Sequence, residues 1–210
     1  MPDSGVAGAF GAFMRVRNTT VTTEYNGSQV LFRQAKARSL AAGRMAQQAD
    51  EEMAAGRSGM ERRQRERDAA MNVVIMTQAA AEAYVNWVFM QAKVAPGNGT
   101  WISRWRGIPR AAEALGRDRK CGLPSEHSDF FNELDAWRNF LVHGDSRAME
   151  ALKSALENQG RQSPGHPVEL LDSSYAASIV ERAEAAFGWA QGATGITAPS
   201  GAGAWVAFDE

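Results

Sequence analysis

The chain is poor in cysteine: Cys121 is the only one in 210 residues. A lone thiol forms no intramolecular disulfide, and no paired thiol spacing suggests zinc, so the chain reads as one kept in a reducing compartment, with cytoplasm as the expected location. No metal or other cofactor is expected. Long uncharged runs are also lacking, since no stretch of about 18 uncharged apolar residues stands out. The start, Met1-Pro2-Asp3-Ser4, has neither the basic opening nor the apolar stretch of a signal peptide, so no membrane association is expected. Net charge is low at −1, which gives no global attraction to nucleic acid. Histidine is scarce, with three in the chain, so each is worth placing. The apolar share of 44% is enough to build a core, which excludes disorder for most of the chain and fits one domain with trimmings better than two small ones.

Residues 1–12 are small and Gly-rich and read as a flexible N-terminus. Over 13–33, Met14, Val16, Val21, Tyr25, Val30, Leu31 and Phe32 flank Asn26-Gly27, a dipeptide suited to a type I′ turn, and predict a small β-hairpin. From Gln34 to Lys93 there is no proline, and strong helix formers dominate. Two long helices, or one interrupted near Gly56-Arg57-Ser58-Gly59, fit that stretch. The second begins almost wholly charged (Glu61 to Asp68) and becomes apolar on a broad face from Met71 to Phe89, with Glu82 and Asn86 left among it. It is expected to start exposed and end buried.

Pro96-Gly97-Asn98-Gly99 stops that helix. A short helix is predicted around Pro109 to Leu115, and Ser125 is expected to cap the next. There Phe130, Leu134, Trp137 and Leu141 follow at spacings of four, three and four, one core-facing stripe of an α-helix. Asp135, Arg138, Asn139 and His143 fall on the other side, and Gly144 is placed to end the helix. Ser146 to Glu157 predicts a further helix and Ser173 to Ala190 the last long one, with Tyr175, Ile179, Ala183, Ala186 and Phe187 inward. The helical domain is thus expected over 34–191. Residues 192–210 read as a Gly/Ala-rich tail in which Ala204 to Phe208 forms a strand beside the hairpin.

Charge is unevenly spread. Within 101–120, Arg104, Arg106, Arg110, Arg117, Arg119 and Lys120 face only Glu113 and Asp118, so a polyanion such as RNA is expected to meet the protein there, the competing reading being a solvated helix surface. Trp101 and Trp105, interleaved with these arginines, fit either base stacking or the core.

The chemistry concentrates in Arg138-Asn139-Phe140-Leu141-Val142-His143. Spacing alone proves little: Arg161 and His166 have the same separation, across a Pro/Gly loop where no helix can run. On an ideal helix, five positions set Arg138 and His143 about 140° apart, flanking a polar face with Asn139 between them. A phosphate over that face is within reach of a guanidinium from one side and an imidazole from the other. That suits cleavage of RNA by its own 2′-hydroxyl: a histidine, ordinarily titrating at about 6.5, moves the proton, while arginine stabilises charge on pentavalent phosphorus. Asp135 or Glu82 is a candidate to orient the arginine, with Asn86 beside Glu82.

These residues resemble the HEPN domains, all-helical bundles of bacterial toxin–antitoxin, abortive-infection and CRISPR effector ribonucleases. Their motif is an arginine, a polar residue and a histidine four to six residues after the arginine. Arg138, Asn139 and His143 match it, including the following Gly144, and Ala81-Glu82-Ala83-Tyr84-Val85-Asn86 looks like the segment that packs against the motif helix. The resemblance covers about Ala69 to Ala190, with its specific part some eight residues long. It implies a mainly α, up-and-down HEPN-like bundle and a homodimer whose two motifs form one metal-independent endoribonuclease cleft, leaving 2′,3′-cyclic phosphate ends. Arg138 and His143 would carry catalysis, Asn139 would support them, and an antitoxin or regulatory protein would be a further partner. The hairpin and the C-terminal strand depart from that pattern. Some domains of this kind keep the motif without cleavage, so the alternative is a non-catalytic module binding protein, RNA or nucleotide. A bland reading also stands, in which Arg138 pairs with Asp135 and His143 is a cation at a helix C-terminus.

Overall fold

The computed structural model describes residues 27–117, 122–161 and 165–199. Its described part is mainly helical: α1 (Gly27–Ala54), α2 (Met60–Gln91), α3 (Trp101–Arg106), α4 (Ile108–Ala114), α5 (Ser125–His143), α6 (Ser146–Glu157) and α7 (Ser173–Thr194), with a 3-10 turn at Pro167–Leu170. Among the described residues there is no strand.

The long prolineless stretch folds as two helices, turning at Gly56, whose φ of 70° suits a residue without a Cβ. Small residues seat α1 on α2: Ala35, Ala42 and Ala49 recur every seven positions and are fully buried, so the two backbones approach closely. α2 begins exposed and becomes buried, as its composition predicts, except that Glu66 in the charged opening is buried. Its carboxylate accepts Arg63 Nη1 at 2.7 Å and the Ser173 backbone N–H at 2.8 Å. This ties the start of α2 to the start of α7. By length and composition α2 is apolar enough to cross a membrane, although Glu82 within it leaves no uncharged stretch of 18 residues, and 56% of its apolar window is buried inside the bundle.

Cross-contacts fix the helix directions. Tyr84, late in α2, donates its hydroxyl to the Ile196 carbonyl just beyond α7 at 2.9 Å, so α2 and α7 run the same way. Phe32, early in α1, meets Phe187, late in α7, edge-on at 4.9 Å. On α5, Glu133 reaches Arg182 and Trp137 reaches Tyr175. α1 and α5 therefore run against α2 and α7. Trp105 of α3, fully buried, sits between Tyr84, Phe131 and Phe187 at 5.9, 4.4 and 6.0 Å, and its indole donates to the Ala81 carbonyl at 3.2 Å.

Several expectations change. The hairpin over 13–33 is overturned in its second half, because Gly27 to Arg33 is the first turns of α1; residues 13–26 lie outside the described part. Val30 and Phe32 favour strands in isolation, but burying Phe32 against Phe187 decides for helix. The helical domain thus begins at 27 rather than 34. At the other end α7 runs to Thr194, past the expected 190, and the start of the expected tail is docked, with Ile196 and Ala198 packed on the core. The strand at 204–208 lies outside the described residues. Ser125 is the first residue of α5 and makes no cap bond. Side-chain caps occur instead at Asp145 and Asp172, each accepting a backbone N–H at 2.7 Å.

One polar cluster pins α5 inside this bundle. Glu133, with no exposed surface, accepts the Tyr175 hydroxyl and, at 2.7 Å, Arg182 Nη1. Tyr175 in turn accepts the Trp137 indole N–H. Arg182 also donates to Gln159 and lies 4.5 Å over the Phe130 ring. Truncating Glu133 would leave a tyrosine hydroxyl and a guanidinium without their acceptor. Glu133→Ala is expected to cost about 3 kcal/mol of unfolding free energy in urea, near the low end for a broken buried pair, because the Arg182 side chain is 25% exposed. Burial raises the Tyr84 phenol above its ordinary value, and burial with the adjacent Glu133 charge raises Tyr175. For a phenol raised in the fold, the unfolded chain loses its proton first, so the stability contribution is full below about pH 10 and is lost as pH climbs beyond it. Phenolate absorbance from these two is expected to appear together with loss of helical circular dichroism; early, non-cooperative ionisation of both would refute it.

Candidate functional site

α5 exists to be read from two sides. Phe130, Phe131, Leu134, Trp137 and Phe140 are buried, and Leu141 is half-buried at the edge of the stripe. Holding that stripe inward turns Arg138 fully outward and leaves Asp135 and Asn139 half-buried. His143 is the last residue of the helix and exposed. Gly144 then adopts φ 63° and donates its N–H to the Phe140 carbonyl at 2.8 Å, ending the helix as its position predicts.

Three of the motif-side residues are joined. Asp135 Oδ2 accepts Asn139 Nδ2 at 3.2 Å, and Asn139 Oδ1 accepts Arg138 Nη1 at 3.3 Å. Asp135 Oδ1 accepts the indole N–H of Trp101 at 2.9 Å. The arginine is thus linked to Asp135 only through the amide, and no ion pair to Arg138 occurs among the described residues. The direct Arg138–Asp135 pairing of the bland reading is not formed. His143, exposed, stands one turn beyond Asn139, next to the exposed Val142. The guanidinium and the imidazole, about 140° apart around the helix, flank the half-buried amide, and among the described residues no hydrogen bond joins His143 to the other two. Such a set can bind an oxyanion and move a proton.

Glu82 and Asn86 lie elsewhere. Glu82 accepts Gln78 Nε2 at 3.3 Å on its own helix, and Asn86 Oδ1 accepts Arg104 Nη1 at 2.5 Å. Neither bonds to Asp135, Arg138 or Asn139.

The expected RNA-binding arginines divide. Arg104 is half-buried and held by Asn86. Arg110 donates to the Ala95 carbonyl at 2.5 Å and covers the Phe89 ring at 5.6 Å. Arg106 is exposed and reaches Ser128 Oγ at 3.3 Å. Arg117 is exposed and lies over Gly195, where a Cβ would strike its guanidinium. Arg119 and Lys120, with Cys121, lie outside the described residues. Trp101 and Trp105 are 7% and 0% exposed, so the core reading holds for both and base stacking does not.

Sequence reasoning passed over Trp101 as a partner of Asp135, and nothing in the spacing joins residues 34 positions apart. It also passed over Glu133, for which a signal existed: position 133 falls between Phe130 and Trp137 on the apolar stripe. Compared with protein-family models, with curated proteins and with solved structures, the chain finds no match.

The other two histidines are structural. His166 caps the 3-10 turn, its Nδ1 accepting the Val168 N–H at 3.4 Å, with its ring 5.7 Å from Phe140. His127, near the start of α5, is half-buried, with its ring 6.1 Å from Trp189. Burial lowers its pKa, opposed by the charge of Glu126. The unfolded chain then takes the proton first, so this contribution is intact above about pH 6.5 and is lost as pH falls below it. The stability gap between wild type and His127→Gln is expected to narrow from pH 7.5 to 5.5 in thermal melts, and a gap independent of pH would rule this out.

Proposed function

We propose that the chain is a metal-independent endoribonuclease of HEPN type, of the toxin or phage-defence kind, acting as a homodimer in the cytoplasm. The observation that carries the reading is that one helix end presents Arg138, Asn139 and His143 to solvent together, with Arg138 steadied by an amide rather than neutralised by a carboxylate. Arg138 is exposed and has no carboxylate against it among the described residues, so its charge is available to a phosphate.

In the proposed reaction the RNA backbone lies across this face. An imidazole accepts the proton of a ribose 2′-hydroxyl, the freed oxygen attacks the adjacent phosphorus, and the bond to the 5′-oxygen breaks. An imidazolium returns a proton to that leaving oxygen, so the products are a 2′,3′-cyclic phosphate and a 5′-hydroxyl. Arg138 stabilises the added negative charge on the pentavalent phosphorus. One base and one acid are needed at once. Two copies of the motif facing across a two-fold axis supply both, and Val142, 59% exposed beside His143, is an apolar residue that a second copy would cover. An antitoxin or regulatory protein would act by covering the same face. The exposed Arg106 and Arg117 are left as the outer contacts to RNA.

The test is incubation of the purified protein with total RNA in EDTA, with product ends analysed for 2′,3′-cyclic phosphate. His143→Ala and Arg138→Ala are each expected to lower cleavage at least about 100-fold, the scale of general acid–base and oxyanion contributions, with the fold's melting temperature unchanged because both side chains are exposed on the chain. RNA left intact by wild type and both variants, but still bound by wild type, would replace the enzyme with the non-catalytic binding module.

A further inference from the structure

A single line of hydrogen bonds joins the interior to the exposed motif. It begins at Trp101, whose ring is held edge-on to Phe131 at 5.4 Å. Its indole N–H reaches Asp135 Oδ1, Asp135 Oδ2 takes the Asn139 amide nitrogen, and Asn139 Oδ1 takes Arg138. Each link has only one workable direction. An indole N–H can only donate, an ionised carboxylate can only accept, and a guanidinium can only donate. The Asn139 amide must therefore turn its NH2 to Asp135 and its oxygen to Arg138; the reverse would set oxygen against oxygen and nitrogen against guanidinium.

We infer that Trp101 is a positioning residue for the motif: its buried N–H fixes the Asp135 carboxylate, which fixes the Asn139 amide, whose oxygen holds the Arg138 guanidinium over the polar face. Trp101 touches no substrate and acts only through this line. Without the indole donor, Asp135 keeps Asn139 as its one remaining partner on this line, and the carboxylate turns about its own bonds. The amide then loses its fixed orientation, and Arg138, a long side chain with several free torsions, is released from the pose in which it meets a phosphate. The catalytic part of the inference rests on the ribonuclease reading; the geometric part does not.

Trp101→Phe in the full chain keeps an aromatic ring against Phe131 and removes the donor. Two readouts separate the two readings. In amide-detected NMR the side-chain NH2 pair of Asn139 is expected to shift in Trp101→Phe, and an unmoved pair overturns the inference whatever the RNA does. In the cleavage assay the rate at saturating RNA is expected to fall about tenfold with KM unchanged, the scale of one lost hydrogen bond to a charged group. The same substitution made in Asn139→Ala is expected to cost nothing more, because the line is already cut. Additive losses would mean that Trp101 acts by packing alone and would also overturn it. Should Trp101→Phe fail to fold, Asp135→Asn breaks the line from the next link and is held to the same shift and the same non-additivity. If wild type and His143→Ala leave RNA equally intact while the Asn139 pair shifts, the ribonuclease reading fails and the positioning stands.

Discussion

A carboxylate with no exposed surface, Glu133, governs how α5 sits. Taking an ionised group out of water costs several kcal/mol unless its oxygens are satisfied. Glu133 has few ways to satisfy them: Tyr175 and Arg182, both on α7. The constraint is rotational as much as attractive. Because Tyr175 also accepts the Trp137 indole, α7 grips α5 at two positions one turn apart. With the helix held at 133 and 137, residues 135, 138 and 139 have no choice but to emerge on the opposite side. The outward display of Arg138 is thus a consequence of what is buried, through the 3.6-residue period of the helix.

The helix type and most helix positions were legible from periodicity and composition. Ser146–Glu157 falls where its pattern puts it, and the inward side of α7 is the one read from Tyr175, Ile179, Ala183, Ala186 and Phe187. The errors share a cause. Asn26-Gly27 is a hairpin signal only if the residues after it pair with a strand, and Phe32 instead finds Phe187, 155 positions away. Local propensity is worth tenths of a kcal/mol, while burying one aromatic ring is worth about 2. Contacts between distant positions are invisible to any window, which is also why Trp101 was not paired with Asp135 and why Asn86 was taken for a companion of the motif instead of a partner of Arg104.

The basic stretch teaches the same point from the side of charge. Counting arginines over 101–120 treats them as equal. The fold does not: Arg104 is half-buried against an amide, Arg110 is exposed but held by a carbonyl and an aromatic face, and Arg106 and Arg117 are exposed, the former reaching Ser128. A guanidinium has five N–H donors, so one bond to protein does not exhaust it. What it loses is freedom. Arg104, half-buried with its Nε lacking a partner, contributes field near its place but cannot swing to follow a ligand.

Two polar systems of opposite character therefore share α5. The inner one, Glu133 with Tyr175, Trp137 and the partly exposed Arg182, is closed on itself around a buried carboxylate, so its value lies in rigidity. The outer one, Trp101 with Asp135, Asn139 and Arg138, is closed at its buried end and open at its exposed end. An open end is where a ligand can complete a network at little ordering cost, since its donors are already held in place. The two systems meet in the helix backbone between positions 133 and 139. Loosening the inner one would tilt the outer one, whereas loosening the outer one leaves the inner one whole. That asymmetry is what separates residues that hold the fold from residues that the fold holds out to solvent.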